Sequence, residues 1–241
     1  MSTLSILIVA QDEENVIPWT MESCLHTSQI LGSSLREIVV VDGGSKDHTM
    51  DIVNAYKDKM PIKLLQRPWD FTRAQMNYGL DNCTGDYVMP VDADMTWTTN
   101  FPHIFLSGRY DQAAFWDFRM LFTCVDAYHY FNWPIGVNMR LFRSGRRFKE
   151  DRKYHWQVDG QTHGIPVCGD VIIFENSCRI KDEKALLHRG ERRQTCISDM
   201  AAEGASPGAP DRFLMAARTS ENQKMKLSDD LINLVLPSTN G

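Results

Sequence analysis

The sequence lacks several patterns that would assign it to a common functional class. No stretch approaches the length needed to cross a bilayer, and charges follow the short N-terminal apolar run too soon for a signal peptide. None of the six cysteines forms a C-x-x-C pair, which is typical of unpaired thiols in a reducing compartment rather than of a disulfide scaffold or zinc site. We therefore expect no transmembrane segment and a cytoplasmic location.

Charge and glycine patterns exclude further classes. The formal net charge is −5, so bulk electrostatics give no reason to expect nucleic-acid binding. The first apolar run ends in AQDEEN, not in the G-x-G-x-x-G of a dinucleotide site, and no G-x-x-x-x-G-K-[ST] phosphate loop is present. The G-x-S-x-G elbow of a serine hydrolase is also absent. A chain this acidic needs local arginines or a metal to hold phosphates.

Short apolar runs alternate with helical patterns through the first hundred residues. The runs are 4–10 (LSILIVA), 37–42 (EIVVVD), 62–66 (IKLLQ) and 86–92 (DYVMPVD). Such runs are typical of parallel strands with both faces covered by helices, and the segments between them have apolar residues at helical spacing. Gly85 follows the third of these segments and fits a helix C-terminus. The alternation predicts a doubly wound α/β sheet.

The second half of the chain is less regular. Residues 113–122 and 137–143 mix aromatics with charges, as strands with one wetter face do. Residues 171–180 (VIIFENSCRI) predict one or two further strands. From Arg193 onward we expect helices, interrupted by the loop or linker GASPGAP at 204–210.

A pair of carboxylates ends the fourth apolar run. GDYVMPVDADM (85–95) stops a buried strand on Asp92 and Asp94. Nearby negative charges repel and raise each other's pKa unless a positive charge lies beside them, and a divalent cation is the usual compensation. The alternative is a turn in which Asp94 bonds to backbone. Because ligands of α/β sheets bind beyond the carboxyl ends of the strands, this position favours the metal.

Three ordered segments resemble the family-two glycosyltransferases, inverting enzymes of the GT-A fold. They are ILIVAQDEENVI, EIVVVDGGSKDHT and FTRAQMNYGLDNCTGDYVMPVDADM, which match the family's order and spacing over roughly residues 4–95. The resemblance implies a GT-A (Rossmann-like), mostly parallel sheet flanked by helices, a nucleotide-sugar donor and a Mn²⁺ or Mg²⁺ ion. We expect a UDP- or dTDP-sugar before a GDP-sugar, and a glycan, lipid-linked or protein acceptor.

The same resemblance implies a domain organisation. Residues 1–203 would form the GT-A domain, divided into a nucleotide-binding half (1–95) and a less regular acceptor half (96–203). Residues 204–241 would form a helical C-terminal extension.

Several residues are implied to contact the nucleotide-sugar. Asp42 suits a hydrogen bond from a uracil-like N–H, or alternatively caps the next helix. Gln11 and Glu13 would line the base and ribose pocket, although Glu13 also suits the first turn of a helix. The full set of implied contacts is Ala10, Gln11, Glu13, Asp42, Arg73, Asn77, Asp92, Ala93 and Asp94.

Two of these residues come from one predicted helix and two from the carboxylate pair. Arg73 and Asn77 lie one turn apart on one helix face. The resemblance has Arg73 facing the nucleotide, whereas a surface ion pair is the alternative. Asp92 would contact the ribose or the water shell of the metal, and Asp94 would bind the metal that bridges the diphosphate.

The later segment LLHRGERR resembles an element of one branch of the family. It makes His188 the candidate for a third metal ligand or a diphosphate contact, with Arg189, Arg192 and Arg193 nearby to stabilise the departing charge. A purely structural histidine is the alternative.

Inversion requires a base that deprotonates the acceptor hydroxyl. The candidates are Glu150, Asp151, Asp159 and His163. The branch often has Glu after its histidine, whereas here Gly164 follows His163. We favour Asp159, because WQVDGQTHG combines a turn with aromatic walls that could stack on a sugar; a plain Asp-Gly turn is the alternative.

Two other functions compete with sugar transfer. One is a catalytically silent sugar- or partner-binding domain of the same fold, against which the intact acidic pair argues. The other is a nucleotidyltransferase, a class that has a glycine-rich loop bearing Arg and Lys after its first strand. AQDEENV has neither feature.

Overall fold

The computed structural model describes residues 1–123, 128–130, 140–149, 158–160 and 165–176. These residues form strands, α-helices and two short 3₁₀ helices at Gly32–Ser34 and Arg109–Gln112. The strands are β1 (Leu4–Ala10), β2 (Leu35–Asp42), β3 (Ile62–Gln66), β4 (Tyr87–Asp92), β5 (Met95–Trp97), β6 (Phe115–Thr123), β7 (Tyr128–Tyr130), β8 (Arg140–Arg143) and β9 (Val167–Glu175). The α-helices are α1 (Ile17–Leu31), α2 (Thr49–Asn54), α3 (Thr72–Leu80) and α4 (Phe101–Leu106).

The strands of the described residues form one sheet. Their order is β3-β2-β1-β4-β8-β6-β9-β5, and β7 pairs with β6 outside this path. β1 pairs in parallel with β2 and β4, and β2 pairs in parallel with β3, so the predicted parallel arrangement is confirmed for the first four strands. β8 pairs antiparallel with β4 and β6, and β5 pairs antiparallel with β9, which makes the whole sheet mixed. We call the edge formed by the carboxyl ends of β1, β2 and β4 the carboxyl edge, and the opposite one the amino edge.

The first strand is central because both of its faces are covered. All seven side chains of β1 are buried, and they alternate between two apolar clusters. Ile6 and Ile8 pack on the side of α1 and α4, whereas Leu7 and Val9 pack on the side of α3. Burying one such side chain contributes about 1.5–3 kcal/mol, so continuous apolar runs become strands between two helical layers.

Gly85 has a different role from the one predicted. Helix α3 ends at Leu80, and the φ of Gly85 is not positive. Its N–H donates to Ser5 Oγ at 2.9 Å, and a Cβ on Gly85 would lie 2.7 Å from the backbone N of Ser5. The prediction of a helix C-terminus was therefore wrong. Glycine is needed because the backbone of β1 passes too close for a side chain.

The two predicted halves of the domain share this sheet. β4 and β5, at the end of the first half and the start of the second, pair with β8 and β9. The predicted boundary at residue 203 and the helical extension 204–241 lie outside the described residues. Within the described residues, no helix combines the length and the apolar character needed to span a membrane.

Candidate functional site

Polar residues end neighbouring strands at the carboxyl edge. Ala10 of β1 is in register with Asp42 of β2, and Val9 is in register with Asp92 of β4. Since adjacent strands lie about 4.8 Å apart, Asp42 and Asp92 flank the end of β1 on its two sides. Ala10 and Asp42 are buried and Asp92 is half-buried. The fold therefore brings together residues that are far apart in the sequence.

The backbone around Asp94 is fixed by two other elements. The N–H of Asn176 donates to the carbonyl oxygen of Asp94 at 2.9 Å, and Asn176 Nδ2 donates to the same oxygen at 3.0 Å and to Thr96 Oγ1 at 3.1 Å. Thr20 of α1 donates its hydroxyl to the carbonyl oxygen of Ala93 at 2.7 Å. Asp94 is only 4% exposed. The turn that carries this carboxylate is thus held in place without using the carboxylate itself for these bonds.

Two loops at the carboxyl edge bind each other through side chains. We call residues 11–14 and 45–49 the paired loops. Asp12 has a φ of 54°, and its N–H donates to Ser45 Oγ at 3.1 Å. In return, the N–H of Lys46 donates to Asp12 Oδ1 at 2.7 Å. Aspartate tolerates the left-handed region better than most residues, which explains its presence at this position.

A second set of bonds joins the paired loops beside the first. The N–H groups of Glu13 and Glu14 donate to Thr49 Oγ1 at 2.7 Å and to Asp47 Oδ2 at 3.0 Å. Burial alone would raise the pKa of the Asp47 carboxyl, but hydrogen bonds from Thr49 and the Glu14 N–H outweigh burial and lower it. Asp47 is therefore ionised at neutral pH and holds the loops together as an acceptor.

One carboxylate oxygen of Asp42 accepts hydrogen bonds from the protein itself. Its Oδ1 accepts the N–H of Ser45 at 2.9 Å and the Ser45 hydroxyl at 2.7 Å. This contact lies in the loop before α2, whose N-cap residue is His48, so Asp42 does not cap that helix; the contact instead orients the carboxylate. Gln11 lies nearby and donates from Nε2 to the carbonyl oxygen of Gly43 at 3.4 Å. Gln11 and Glu13 are both half-buried.

Helix α3 presents its two predicted site residues to different surroundings. Arg73 lies in the first turn, next to the carboxyl edge, and is fully buried rather than part of a surface ion pair. Asn77 is 1% exposed, and its side chain donates to the Phe148 carbonyl oxygen at 3.0 Å and accepts the Phe148 N–H at 2.8 Å. The structure thus gives Asn77 a contact with the loop after β8, and its nucleotide-binding role stays a prediction.

Asp159 lies in the expected turn but away from the carboxylates. It is exposed, it precedes Gly160 with a φ of 74°, and its N–H donates to the Arg147 carbonyl oxygen at 2.8 Å. The Arg147 side chain pairs with Asp81, just after the end of α3. The adjacent Arg146 lies over the ring of Phe115 at the start of β6. These contacts are at the amino edge, so the structure does not bring Asp159 together with Asp94.

Four other predicted residues cannot be located. His188 and the alternative bases Glu150, Asp151 and His163 lie outside the described residues.

The carboxyl edge fits a hard divalent cation in its chemistry. Asp92 and Asp94 offer carboxylate oxygens, and Mg²⁺ is commonly held by one or two carboxylates together with substrate phosphates. Within the described ranges, no three His, Cys, Asp or Glu side chains converge as a metal cluster. The chemistry of the two carboxylates fits an ion that a diphosphate would also coordinate.

A family model decides the identity of the fold. The model of glycosyl transferase family 2 matches residues 5–156, which is more than half of the chain. The chain belongs to glycosyl transferase family 2. The family resemblance seen in the three sequence segments is thereby confirmed, and the matched region includes β1 to β8.

Curated relatives of this family-2 chain match it over only part of its length and of their own. The lipopolysaccharide core biosynthesis glycosyltransferase LpsC of Rhizobium meliloti is 33% identical over 78 residues, 30% of this chain and 29% of the relative. A prophage bactoprenol glucosyl transferase homolog of Escherichia coli is 31% identical over 97 residues, 38% of this chain and 30% of the relative. The matches thus span under a third of the length of these relatives.

Solved structures share the family-2 fold. S. aureus TarS 1-349 has a TM-score of 0.56 and 16% identity, covering 73% of this chain and 60% of that one. The same protein in complex with UDP has a TM-score of 0.57 and 16% identity, covering 72% and 60%. At this identity the likeness establishes the fold, and the predicted GT-A architecture is confirmed.

Sequence reasoning missed several residues at the site of this family-2 chain. Glu175 ends β9 at the carboxyl edge and Asn176 follows it; they are 3% and 0% exposed. The sequence did contain a signal for these two residues, because the apolar run VIIF is followed by the polar residues Glu and Asn. The apolar run at 86–92 ends on a polar residue in the same way. Gln75, fully buried in α3, and Trp69, in the loop before it, had no comparable signal.

Proposed function

We propose that this protein is a metal-dependent, inverting glycosyltransferase that uses a UDP- or dTDP-sugar. The observation that carries the proposal is that the strands ending at Asp42 and Asp92, and the turn that carries Asp94, lie at the same carboxyl edge of a family-2 chain. Carboxylates gathered at one edge repel one another, and a divalent cation together with a nucleobase N–H donor compensates that repulsion. A nucleoside diphosphate with its metal supplies both.

The roles follow from the chemistry of each group. Asp42 accepts a uracil or thymine N–H through the oxygen that Ser45 does not use. Asp94 holds Mn²⁺ or Mg²⁺, and Asp92 contacts the ribose or the water shell of the ion. When bound, the ion neutralises charge that develops on the leaving diphosphate. The buried guanidinium of Arg73 adds positive charge at the nucleotide.

A uridine donor has independent support. TarS, which shares the fold at a TM-score of 0.57, was solved in complex with UDP. In this chain we assign Gln11 and Glu13 to the base and ribose pocket, with Ala10 and Ala93 as further contacts to the nucleotide-sugar.

The acceptor is proposed from the names of the relatives. One acts in lipopolysaccharide core biosynthesis and another is named for bactoprenol, a lipid carrier. We therefore propose a lipid-linked acceptor ahead of a glycan or a protein. The cytoplasmic location stays a prediction, supported by the unpaired thiols of Cys24, Cys83 and Cys168.

The catalytic base is not assigned to one residue, but the set of candidates is smaller than the one predicted from the sequence. An acceptor hydroxyl must be deprotonated beside the metal-bound diphosphate, and the position of Asp159 at the amino edge argues against it. Glu150, Asp151 and His163 are therefore the better candidates. His188 is kept as the proposed third metal ligand or diphosphate contact.

A panel of nucleotide-sugars tests the proposed function. Thermal shift with UDP-, dTDP- and GDP-sugars, each with and without Mn²⁺, is expected to give the largest stabilisation for a uridine or thymidine donor with metal present. Slow hydrolysis of that donor, measured as released nucleoside diphosphate, then separates an enzyme from a silent binding domain. Stabilisation without any release, even with lipid-linked acceptors added, would favour the silent domain.

Replacing Asp42 tests the nucleobase contact. Asp42→Ala is expected to weaken UDP binding by about 1–3 kcal/mol, because a buried donor on the base loses its acceptor. Ser45→Ala is the matched control, since it removes the hydroxyl contact to Asp42 Oδ1 and keeps the carboxylate. Calorimetry on both variants distinguishes the roles: an equal, small loss of affinity in both would leave Asp42 with only the loop contact to Ser45.

A further inference from the structure

One large aromatic side chain is exposed beside the ends of β1 and β2. Trp69 lies in the loop between β3 and α3 and is 39% exposed. Exposing indole surface forgoes burial free energy, and tryptophan is enriched where a flat apolar face meets a ligand.

The loop that carries Trp69 is held firmly. The N–H of Arg67 donates to the Asp42 carbonyl oxygen at 3.0 Å, and the N–H of Trp69 donates to the Gly43 carbonyl oxygen at 3.0 Å. From the other side, Nε2 of the buried Gln75 donates to the carbonyl oxygens of Arg67 at 3.1 Å and Pro68 at 3.0 Å. The indole is therefore presented in a fixed position before any ligand arrives, which lowers the entropy cost of binding.

Gly43 makes room for the indole directly after Asp42. A Cβ on Gly43 would lie 2.7 Å from Trp69 Cε3 and 3.1 Å from Gln11 Cβ. The φ of Gly43 is not positive, so the space for the ring, rather than the backbone conformation, requires glycine here. Trp69 thus packs against the residue that follows the proposed nucleobase acceptor.

We propose that Trp69 is the stacking platform for the nucleobase of the donor. The inference rests on the proposed function and adds the group that contacts the face of the base, whereas Asp42 contacts its edge. The ends of β2 and β4 lie two strand spacings apart, about 10 Å. A nucleoside diphosphate with its base on Trp69 and its diphosphate at Asp94 spans that separation across the end of β1.

Calorimetry with two ligands tests this assignment in the full chain. Trp69→Ala is expected to weaken UDP binding in Mn²⁺ about 5- to 150-fold, the range for losing one base–aromatic stack. Binding of inorganic pyrophosphate with Mn²⁺ is expected to stay within about twofold, because pyrophosphate has no base to stack. Trp69→Phe keeps an aromatic face and is expected to retain most of the UDP affinity. Tyr78→Ala, which removes an aromatic exposed to 36% on α3, is the matched control and is expected to bind UDP normally.

A second variant moves the ring without deleting it. Gly43→Ala is expected to weaken UDP binding with pyrophosphate binding kept, since its methyl group collides with the indole. Unchanged UDP binding in Trp69→Ala, or equal losses for UDP and pyrophosphate, would overturn the stacking role while leaving the proposed function intact. Failure of the unaltered protein to bind UDP or dTDP more tightly than pyrophosphate would overturn both.

Discussion

Asp94→Ala and Asp94→Asn are expected to lower turnover at least a hundredfold while the protein stays folded. In the proposed function the carboxylate holds the ion that neutralises the leaving diphosphate, and removing one such electrostatic contact typically costs about 10²–10³ in rate. The fold is expected to persist because Asn176 binds the backbone carbonyl oxygen of Asp94, which every residue retains.

The measurement is donor turnover with saturating Mn²⁺, accompanied by circular dichroism melting. Asp170→Asn is the matched control, because Asp170 is an exposed β9 carboxylate paired with Arg109, outside the carboxyl edge. EDTA is expected to abolish turnover and added Mn²⁺ to restore it. Near-normal turnover in EDTA would remove metal dependence from the proposal.

Asn77→Ala is expected to lower the free energy of unfolding by about 2–5 kcal/mol. The substitution leaves both the N–H and the carbonyl oxygen of Phe148 without the partners they have in the buried interior, and each unsatisfied group costs about 1–3 kcal/mol. Urea denaturation measures the change. Asn82→Ala, which loses one exposed bond to the Tyr78 carbonyl oxygen, is the control and is expected to cost under about 1 kcal/mol.

The same variant decides between two roles for Asn77. A structural role predicts lost stability with UDP affinity kept in the folded fraction. If Asn77→Ala is as stable as the Asn82→Ala control and binds UDP poorly, the nucleotide contact predicted from the sequence is the correct one.

The four short apolar runs of the first hundred residues were the most predictable part of the fold. The predicted runs coincide with β1 and β3, and they differ from β2 and β4 by only two residues and one residue at the start. For β1, β2 and β4 the reason is local, because an uninterrupted apolar run is most stable between two helical layers, whereas β3 is only half-buried. The position of Asp42 and Asp92 at the carboxyl edge could be predicted as well, because the carboxyl ends of parallel strands lie at the same edge of a sheet.

Contacts between distant segments could not be predicted in this way. Asn77 bonds to Phe148 and Asn176 bonds to Asp94, across 71 and 82 positions of the chain. The sequence around either asparagine does not indicate which backbone segment will pack against it in the fold. Gly85 illustrates the same limit, since its local context suits a helix end whereas the close approach of Ser5 decides its identity.

The pairing of β5 with β9 has a consequence for the order of events during synthesis. Asp92 and Asp94 leave the ribosome about eighty residues before Asn176 emerges to fix the turn at Asp94. Until then a nascent chain can pair β1 to β4 but lacks the last strand, whose end fixes the turn that carries Asp94. The turn at Asp94 is therefore completed late, because its backbone contacts need the chain as far as Asn176.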